Sequence, residues 1–507
     1  MSHRSPIIAA GRAFVFAAVG AIVTTVWGGV RLVQGGESTI REGSHPNFIF
    51  ILADDLGYTD LGCYGSRYYE TPNIDRMAAE GMRFTDGYTA GPNCQPTRAA
   101  LISGQYGPRT GVYTVGSIER FPWRTRPLRP VDNVEKLPLD KVTLAQALKG
   151  AGYVTGLFGK WHLGEDPEHH PSARGFDEAI TSAGRHFNFV TNPRVSYPEG
   201  TYLADFLTDK AVDFINRHSQ EPFFLCVHHF GVHSPYQAKA ELIKHFERKP
   251  PVDGHSNPVY AAMIASVDES VGRILAALAE LGLDKNTLVI FTSDNGGVGG
   301  YERLGIMGGS ITDNAPLRGG KGMLYEGGIR VPFIFRWPGH IPAGAECRVP
   351  IHSVDIYPTL LELAGAKPPA DYVLDGVSLV PLLRQGDKAQ FPERPLFWHF
   401  PGYLGAGQGT WRTTPVGAIR LGDWKLLEFF EDGHLELYNL REDIGEEKNL
   451  ASQNPQKAAE LHELLKKWRA EIHAPMPTPH TPEPAGKAQQ SENRPRRAQR
   501  RAQQSSP

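Results

Sequence analysis

Cysteine is scarce, at four in 507 residues, and a chain of that length needs no disulfide framework to hold a core. No Cys or His cluster has the spacing of a zinc site. Cys226, inside the apolar run 223–227, reads as a small buried hydrophobe. A strong net charge is also missing. The formal value of −2 conceals +3 over the first 36 residues, which hold no acid, and +4 over the last 34, leaving −9 on the body between. So acidic a body is a poor surface for a polyanion, which argues against nucleic acid as the main partner.

Long apolar runs are lacking except at the start. Residues 13–30 are uncharged and mostly apolar behind Arg4 and Arg12, the pattern of an export signal. The stretch just reaches the length of a membrane span, and no small-x-small cleavage site follows it. A cleaved signal over residues 1–36 and an uncleaved N-terminal membrane anchor therefore both stay open. In either case the arginines place the body outside, periplasmic or secreted.

What is present is alternation. Asn47–Leu52, Tyr153–Phe158, Phe223–His228 and Thr287–Thr292 are short apolar runs of the kind a doubly buried strand needs. Between them lie the amphipathic segments Leu144–Ala151, Tyr202–Asn216 and Ala261–Leu281. The order predicts an α/β fold, with a large, mostly parallel mixed sheet over residues 46–375 and helices on both its faces. Polar residues follow each strand, and in parallel sheets the ligand crevice lies at those carboxyl ends. Over residues 376–473 four shorter strands and the helix 455–472 predict a small antiparallel sheet with a terminal helix. Residues 474–507, rich in Pro, Gln and Arg with almost no apolar content, are expected to be disordered.

The chemistry gathers in few places. Asp54 and Asp55 follow the first strand, and Asp294 and Asn295 follow the fourth. Either pair alone suits a turn; two such pairs after buried strands suit one metal. Their hard oxygens fit Ca²⁺, with Mg²⁺ as runner-up. Cys94-Gln95-Pro96-Thr97-Arg98 opens a helix-like stretch, where a helix N-terminus and an arginine one turn on would favour an anion. Gly159–Gly164 reads GKWHLG, His233 is followed by Ser-Pro, and Lys321 sits among glycines in LRGGKGMLYEGGI.

Together these motifs resemble the type I sulfatases of the alkaline phosphatase superfamily, arylsulfatase-like and N-acetylgalactosamine-6-sulfatase-like, over roughly residues 46–472. The resemblance implies that a formylglycine-generating maturation enzyme oxidises Cys94 to formylglycine (3-oxoalanine), which also joins the metal. The aldehyde hydrate has two hydroxyls: one attacks sulfur, giving a sulfo-enzyme, and the other expels sulfate by re-forming the carbonyl. It further implies that Arg98, Lys160 and Lys321 bind sulfate oxygens, that His162 holds or deprotonates the hydrate, and that His233 serves the leaving oxygen. The implied substrate is a sulfated carbohydrate or an aryl sulfate. Residues 103–138 and 401–415, with Trp123, Arg124, Arg126, Trp411 and Arg412, would face it. Asn93, Ser182, His352, Asp355 and His399 are further candidates whose ordinary role is packing or a turn. Two other readings remain open: a phosphate or phosphonate ester hydrolase of the same superfamily, and a non-catalytic protein that binds sulfated glycans.

Overall fold

The structure, a computed structural model, describes residues 45–306, 308–407 and 410–484; the stretch expected to be an export signal or anchor and the end of the tail lie outside them. Alternating burial sets the architecture. Asn47–Ala53 (β1) sends Ile49, Ile51 and Ala53 into one apolar layer and Phe48, Phe50 and Leu52 into another. Around it lie Met82–Phe84 (β2), Val154–Gly159 (β3), Glu178–Ser182 (β4), Thr191–Asn192 (β5), Phe223–His228 (β6), Thr287–Ser293 (β7), Phe333–Arg336 (β8) and Ala345–Cys347 (β9). They form one sheet in the order β9-β2-β8-β7-β1-β6-β3-β4-β5.

The five strands from β7 to β4 are mutually parallel, while β8 runs antiparallel to both its neighbours. This is the mostly parallel mixed sheet expected. One face is covered by the helices Pro72–Ala79 (α1), Leu203–Arg217 (α4) and Pro258–Glu280 (α5). The other is covered by Cys94–Ser103 (α2), Leu144–Gly150 (α3) and Ile356–Leu363 (α6). Phe214 of α4 packs on Phe158 and Phe223 beneath β3 and β6; burying one such side chain contributes about 1.5–3 kcal/mol.

Leu396–Phe400 (β10), Val416–Leu421 (β11), Trp424–Phe429 (β12) and Leu435–Asn439 (β13) form the antiparallel sheet, and Pro455–Glu471 (α7) packs on it through Leu461, Leu465 and Trp468. Trp468 stacks on Phe397 at 4.5 Å and meets Tyr106 edge-on, in a cluster that includes Ala100 of α2. The small sheet thus buttresses the helix that carries Cys94. A buried ion cluster joins the two layers. Lys425 Nζ lies 2.8 Å from both Glu326 Oε1 and Glu446 Oε1, all three side chains being inaccessible to solvent. Burial raises Glu326, but Lys425, Arg330 and Arg420 override it and hold the carboxyl at about 2. Burial dominates at Glu446 and, against the pull of Lys425, pushes it up to about 7.

The expectation of disorder from residue 474 onward fails for the first part of that segment. Thr478–Pro479 pairs antiparallel with Leu128–Arg129, His480 N donates to Pro127 O, and Glu483 N donates to Arg124 O. Composition weighs side chains, whereas this strap is held by backbone groups that complete a loop edge.

Candidate active site

Four parallel strands end at one edge of the sheet, and the residues just beyond them converge there. Asp54 and Asp55 follow β1, Lys160 and His162 follow β3, His233 follows β6, and Asp294 and Asn295 follow β7. Helix α2 brings Cys94 as its first residue and Arg98 one turn later, both buried. The Cys94 thiol points at Asp54 Oδ1 at 3.3 Å and at Asp55 Oδ1 at 3.8 Å.

Every carboxylate here has a cation. Lys160 Nζ donates to Asp54 Oδ2 at 2.5 Å, and Lys321 Nζ to Asp55 Oδ2 at 2.7 Å. Arg98 donates to Asp294 Oδ2 from Nε at 2.9 Å and to Lys160 O from Nη1 at 2.7 Å, and its Nη2 lies 2.8 Å from Asp294 Oδ2 in an ion pair. Asn295 Nδ2 donates to Asp55 Oδ1 at 2.9 Å, leaving its buried Oδ1 without a partner. His233 Nε2 is 3.7 Å from Asp55 Oδ2. Asp54, Asp55, Cys94 and His233 offer atoms that all lie within 4.8 Å of one another.

The surroundings set the charge states. Burial raises Asp54, yet Lys160, His233, Arg98 and Lys321 hold it well below the usual carboxylate range. Asp55 is lowered against burial in the same way, chiefly by Lys321 and His233. Burial and the neighbouring Asp54 push Asp294 up to about 6, with Arg98 opposing. Burial, then Asp294 and Asp54, push the Cys94 thiol far up, so the unmodified residue is a poor thiolate. Burial, then Lys160 and Arg98, keep His162 well below the usual imidazole value, and a neutral ring can accept a proton.

Lys321 reaches Asp55 across 266 positions of sequence because its loop packs backbone on backbone. A Cβ on Gly296 would sit 1.9 Å from Gly327 O, and one on Gly320 would sit 2.3 Å from Gly299 O. No side chain fits at either position. The same loop reaches the Cys94 turn, where Gly322 N donates to Pro92 O at 2.7 Å.

All ten residues named for catalysis or metal binding therefore meet at one place. The lesser candidates divide. Ser182 lines a cavity of about 650 Å³ beside Lys160, His162 and His233. His352 and Asp355 cap a buried turn, with Asp355 paired to Arg394, and His399 Nε2 donates to Pro475 O at 2.8 Å; these three serve the fold. Asn93 precedes α2 and bonds Thr114. Arg124 and Arg126 are paired with Glu119 and Glu431. A wider cleft of about 750 Å³, at Glu80 and Arg336, lies off the opposite end of the sheet, and its Arg336 is satisfied by Glu80 and Asp284.

Sequence reasoning missed Tyr260, whose hydroxyl reaches Asp55 O at 3.1 Å and Asp60 Oδ2 at 2.7 Å. A tyrosine on the apolar face of a helix was the available signal, since a buried hydroxyl needs a partner. It also missed Arg120 on the cavity wall.

A family model described as Sulfatase matches residues 46–366, and one described as N-sulphoglucosamine sulphohydrolase, C-terminal, matches residues 320–472. The chain belongs to the sulfatase family. As a sulfatase it is a sulfuric ester hydrolase. A protein named Sulfatase from Formosa agariphila is 36% identical to it, covering 88% of this chain and 92% of that one. The N-acetylgalactosamine-6-sulfatase of Sus scrofa is 38% identical, covering 70% of this sulfatase and 68% of its own length. Among solved structures, Ps i-CgsB in complex with k-i-k-neocarrahexaose superposes with a TM-score of 0.72 at 31% identity, over 89% of this chain and 98% of the other. The phosphonate monoester hydrolase of Agrobacterium radiobacter, at 22% identity and a TM-score of 0.58, shares the fold.

Proposed function

We propose that this sulfatase hydrolyses a sulfate monoester of a carbohydrate, outside the cytoplasmic membrane, with formylglycine made from Cys94 as nucleophile. The observation that carries the reading is the position of Cys94 Sγ, 3.3 Å from Asp54 at the N-terminus of a helix, within a ring formed by Arg98, Lys160, Lys321, His162 and His233. A relative named N-acetylgalactosamine-6-sulfatase and a neighbour solved with k-i-k-neocarrahexaose support a sugar as the substrate.

The residues fit a hard divalent cation. Asp54, Asp55 and Asp294 are hard oxygen donors, and the unpartnered Asn295 Oδ1 is a fourth, buried beside Asp55. The three carboxylates are already balanced by Arg98, Lys160 and Lys321. A Ca²⁺ ion would therefore leave the site positive, in need of an anion such as sulfate. Bound there, Ca²⁺ supplies a Lewis acid that polarises the sulfate and lowers the pKa of the attacking hydroxyl.

The aldehyde hydrate, whose place the thiol of Cys94 holds in this structure, supplies the attacking hydroxyl and the second hydroxyl that releases sulfate. Lys160 and Lys321 bind sulfate oxygens from opposite sides, and Arg98 stays fixed by Asp294 and fixes its end of the pocket. Neutral His162 takes a proton from the hydrate, and His233, at the cavity, gives one to the leaving sugar oxygen.

Peptide mass spectrometry across residues 90–98, on protein from its own host, tests the nucleophile. A loss of about 18 Da at Cys94, thiol to aldehyde, is expected. An intact thiol in protein that turns over sulfate esters would overturn it. Matched aryl sulfate and aryl phosphate test the ester: sulfate should be preferred, and a preference for phosphate would make the enzyme a phosphoesterase.

A further inference from the structure

The loops that rim the cavity carry several arginines, and their pairing differs. Arg124, Arg126 and Arg129 each hold a carboxylate, from Glu119, Glu431 and Asp132 respectively. Arg120 and Arg412 have none among the described residues. Arg120 lines the cavity with Lys160, His162 and His233, and its one hydrogen bond there is from Nη1 to Val115 O at 3.2 Å. Arg412 lies over the ring of Tyr301 at 4.4 Å, and Tyr301 in turn donates to Lys321 O at 2.8 Å. The buried Nε of Arg412 has no acceptor.

The two charges feel each other. Burial and, against the pull of Cys94, the like charge of Arg412 lower Arg120 below the usual guanidinium value. Two unpaired guanidinium groups beside Arg98, Lys160 and Lys321 exceed what one sulfate monoester can neutralise, because the catalytic cations already match the catalytic carboxylates. A guanidinium fork in this setting suits a planar or tetrahedral oxyanion, which it can bind through two hydrogen bonds. The far wall differs: Glu165 accepts from Thr181 Oγ1 at 2.8 Å and from Asn192 Nδ2 at 3.3 Å. That carboxylate suits sugar hydroxyls and would repel an anion placed on its side.

We infer that Arg120 and Arg412 form a second anion subsite beside the scissile sulfate, so that the preferred substrate is a carbohydrate with a further sulfate or carboxylate on the Arg120 side of the cavity. This rests on the sulfated-carbohydrate reading above and narrows it to polyanionic glycans.

Binding tests it without turnover. The full chain with Cys94→Ala is titrated calorimetrically with three matched disaccharides: one with a single sulfate, one with two, and one with a sulfate and a uronate carboxylate. The disulfated or the uronate ligand should bind at least about tenfold more tightly than the monosulfated one, since one charge-assisted contact is of that order. The tighter of the two identifies the second anion. Arg120→Gln and Arg412→Gln should each cut that ratio severalfold, and the double variant should bring it to about one, while Arg120→Lys should retain part of it. Equal affinity for all three ligands in the parent, or a ratio unmoved by the double variant, would overturn the subsite. The sulfatase reading is judged separately, by turnover of aryl sulfate in the Cys94 protein.

Discussion

The hydroxyl of Tyr260 stands 2.7 Å from Asp60 Oδ2 and 3.1 Å from the main-chain oxygen of Asp55. Asp55 is held at φ 65°, a left-handed conformation that costs a non-glycine residue roughly 1–2 kcal/mol. That backbone aims its carboxylate at Cys94 and Lys321. Tyr260→Phe should leave buried Asp60 short of a donor and lower stability by about 1–3 kcal/mol, read from the denaturant midpoint. It should also lower kcat/KM on aryl sulfate several-fold, with Asp55 less firmly placed. A variant as stable and active as the parent would remove Tyr260 from the site.

Metal binding should register as stability. A cation held only by the native chain raises the unfolding free energy by about 2.7 kcal/mol at a hundred times its Kd, so Tm should climb with added Ca²⁺ and fall after chelation. Asp294→Asn should flatten that response and strand Arg98, reducing kcat by about a hundredfold or more. A Tm insensitive to Ca²⁺ in the parent would exclude the four oxygen donors as a calcium site.

The Glu326–Lys425–Glu446 cluster predicts a pH dependence remote from catalysis. Burial pushes the Glu446 carboxyl up to about 7 in the folded chain, against about 4.5 for an ordinary glutamate. Between those values the native state holds a proton that the unfolded state releases, so this group makes stability fall as pH rises from about 4.5 to 7. Glu446→Gln should remove that slope, leaving the variant relatively more stable at pH 7 than at pH 4.5 by about 1–3 kcal/mol. Glu326, held low, contributes with the opposite sign and only below 4.5. Lys425→Met should cost about 3–5 kcal/mol by leaving two buried carboxyls with too little cation. Urea melts at both pH values check each point.

The strap of residues 475–484 braces the loop that bears Arg120 and Trp123. Ending the chain after Ala474 removes several hydrogen bonds, each worth about 0.5–1.5 kcal/mol net, from the edge of that loop, together with the His399–Pro475 bond. KM for a sulfated disaccharide should rise severalfold and kcat should change less; a chain ending after Pro484 is the control. Equal kinetics for both chains would leave the strap without a role in substrate binding.

The site was legible in the sequence because its residues lie where a parallel sheet must expose them. Asp54, Lys160, His233 and Asp294 each follow a short apolar run, and the CQPTR segment supplies the helix that meets them. Strand β8 was not legible, since the four residues FIFR carry no period that distinguishes an antiparallel insertion. Tyr260 was hidden because its α5 neighbours are apolar and its partners lie about 200 positions away. Nothing local marks Lys425 and Glu446 as buried; only the tertiary contacts with Glu326 bury all three.

The stacked backbone around Gly296 and Gly320 has a consequence for how such an enzyme changes over time. Lys321 is delivered by peptide groups that touch one another with no side chain between them, so this part of the site offers nothing that small substitutions could adjust. Whatever new substrates descendants of this chain acquire must be learned elsewhere, in the arginine-bearing rims, where side chains such as Arg120 line the cavity.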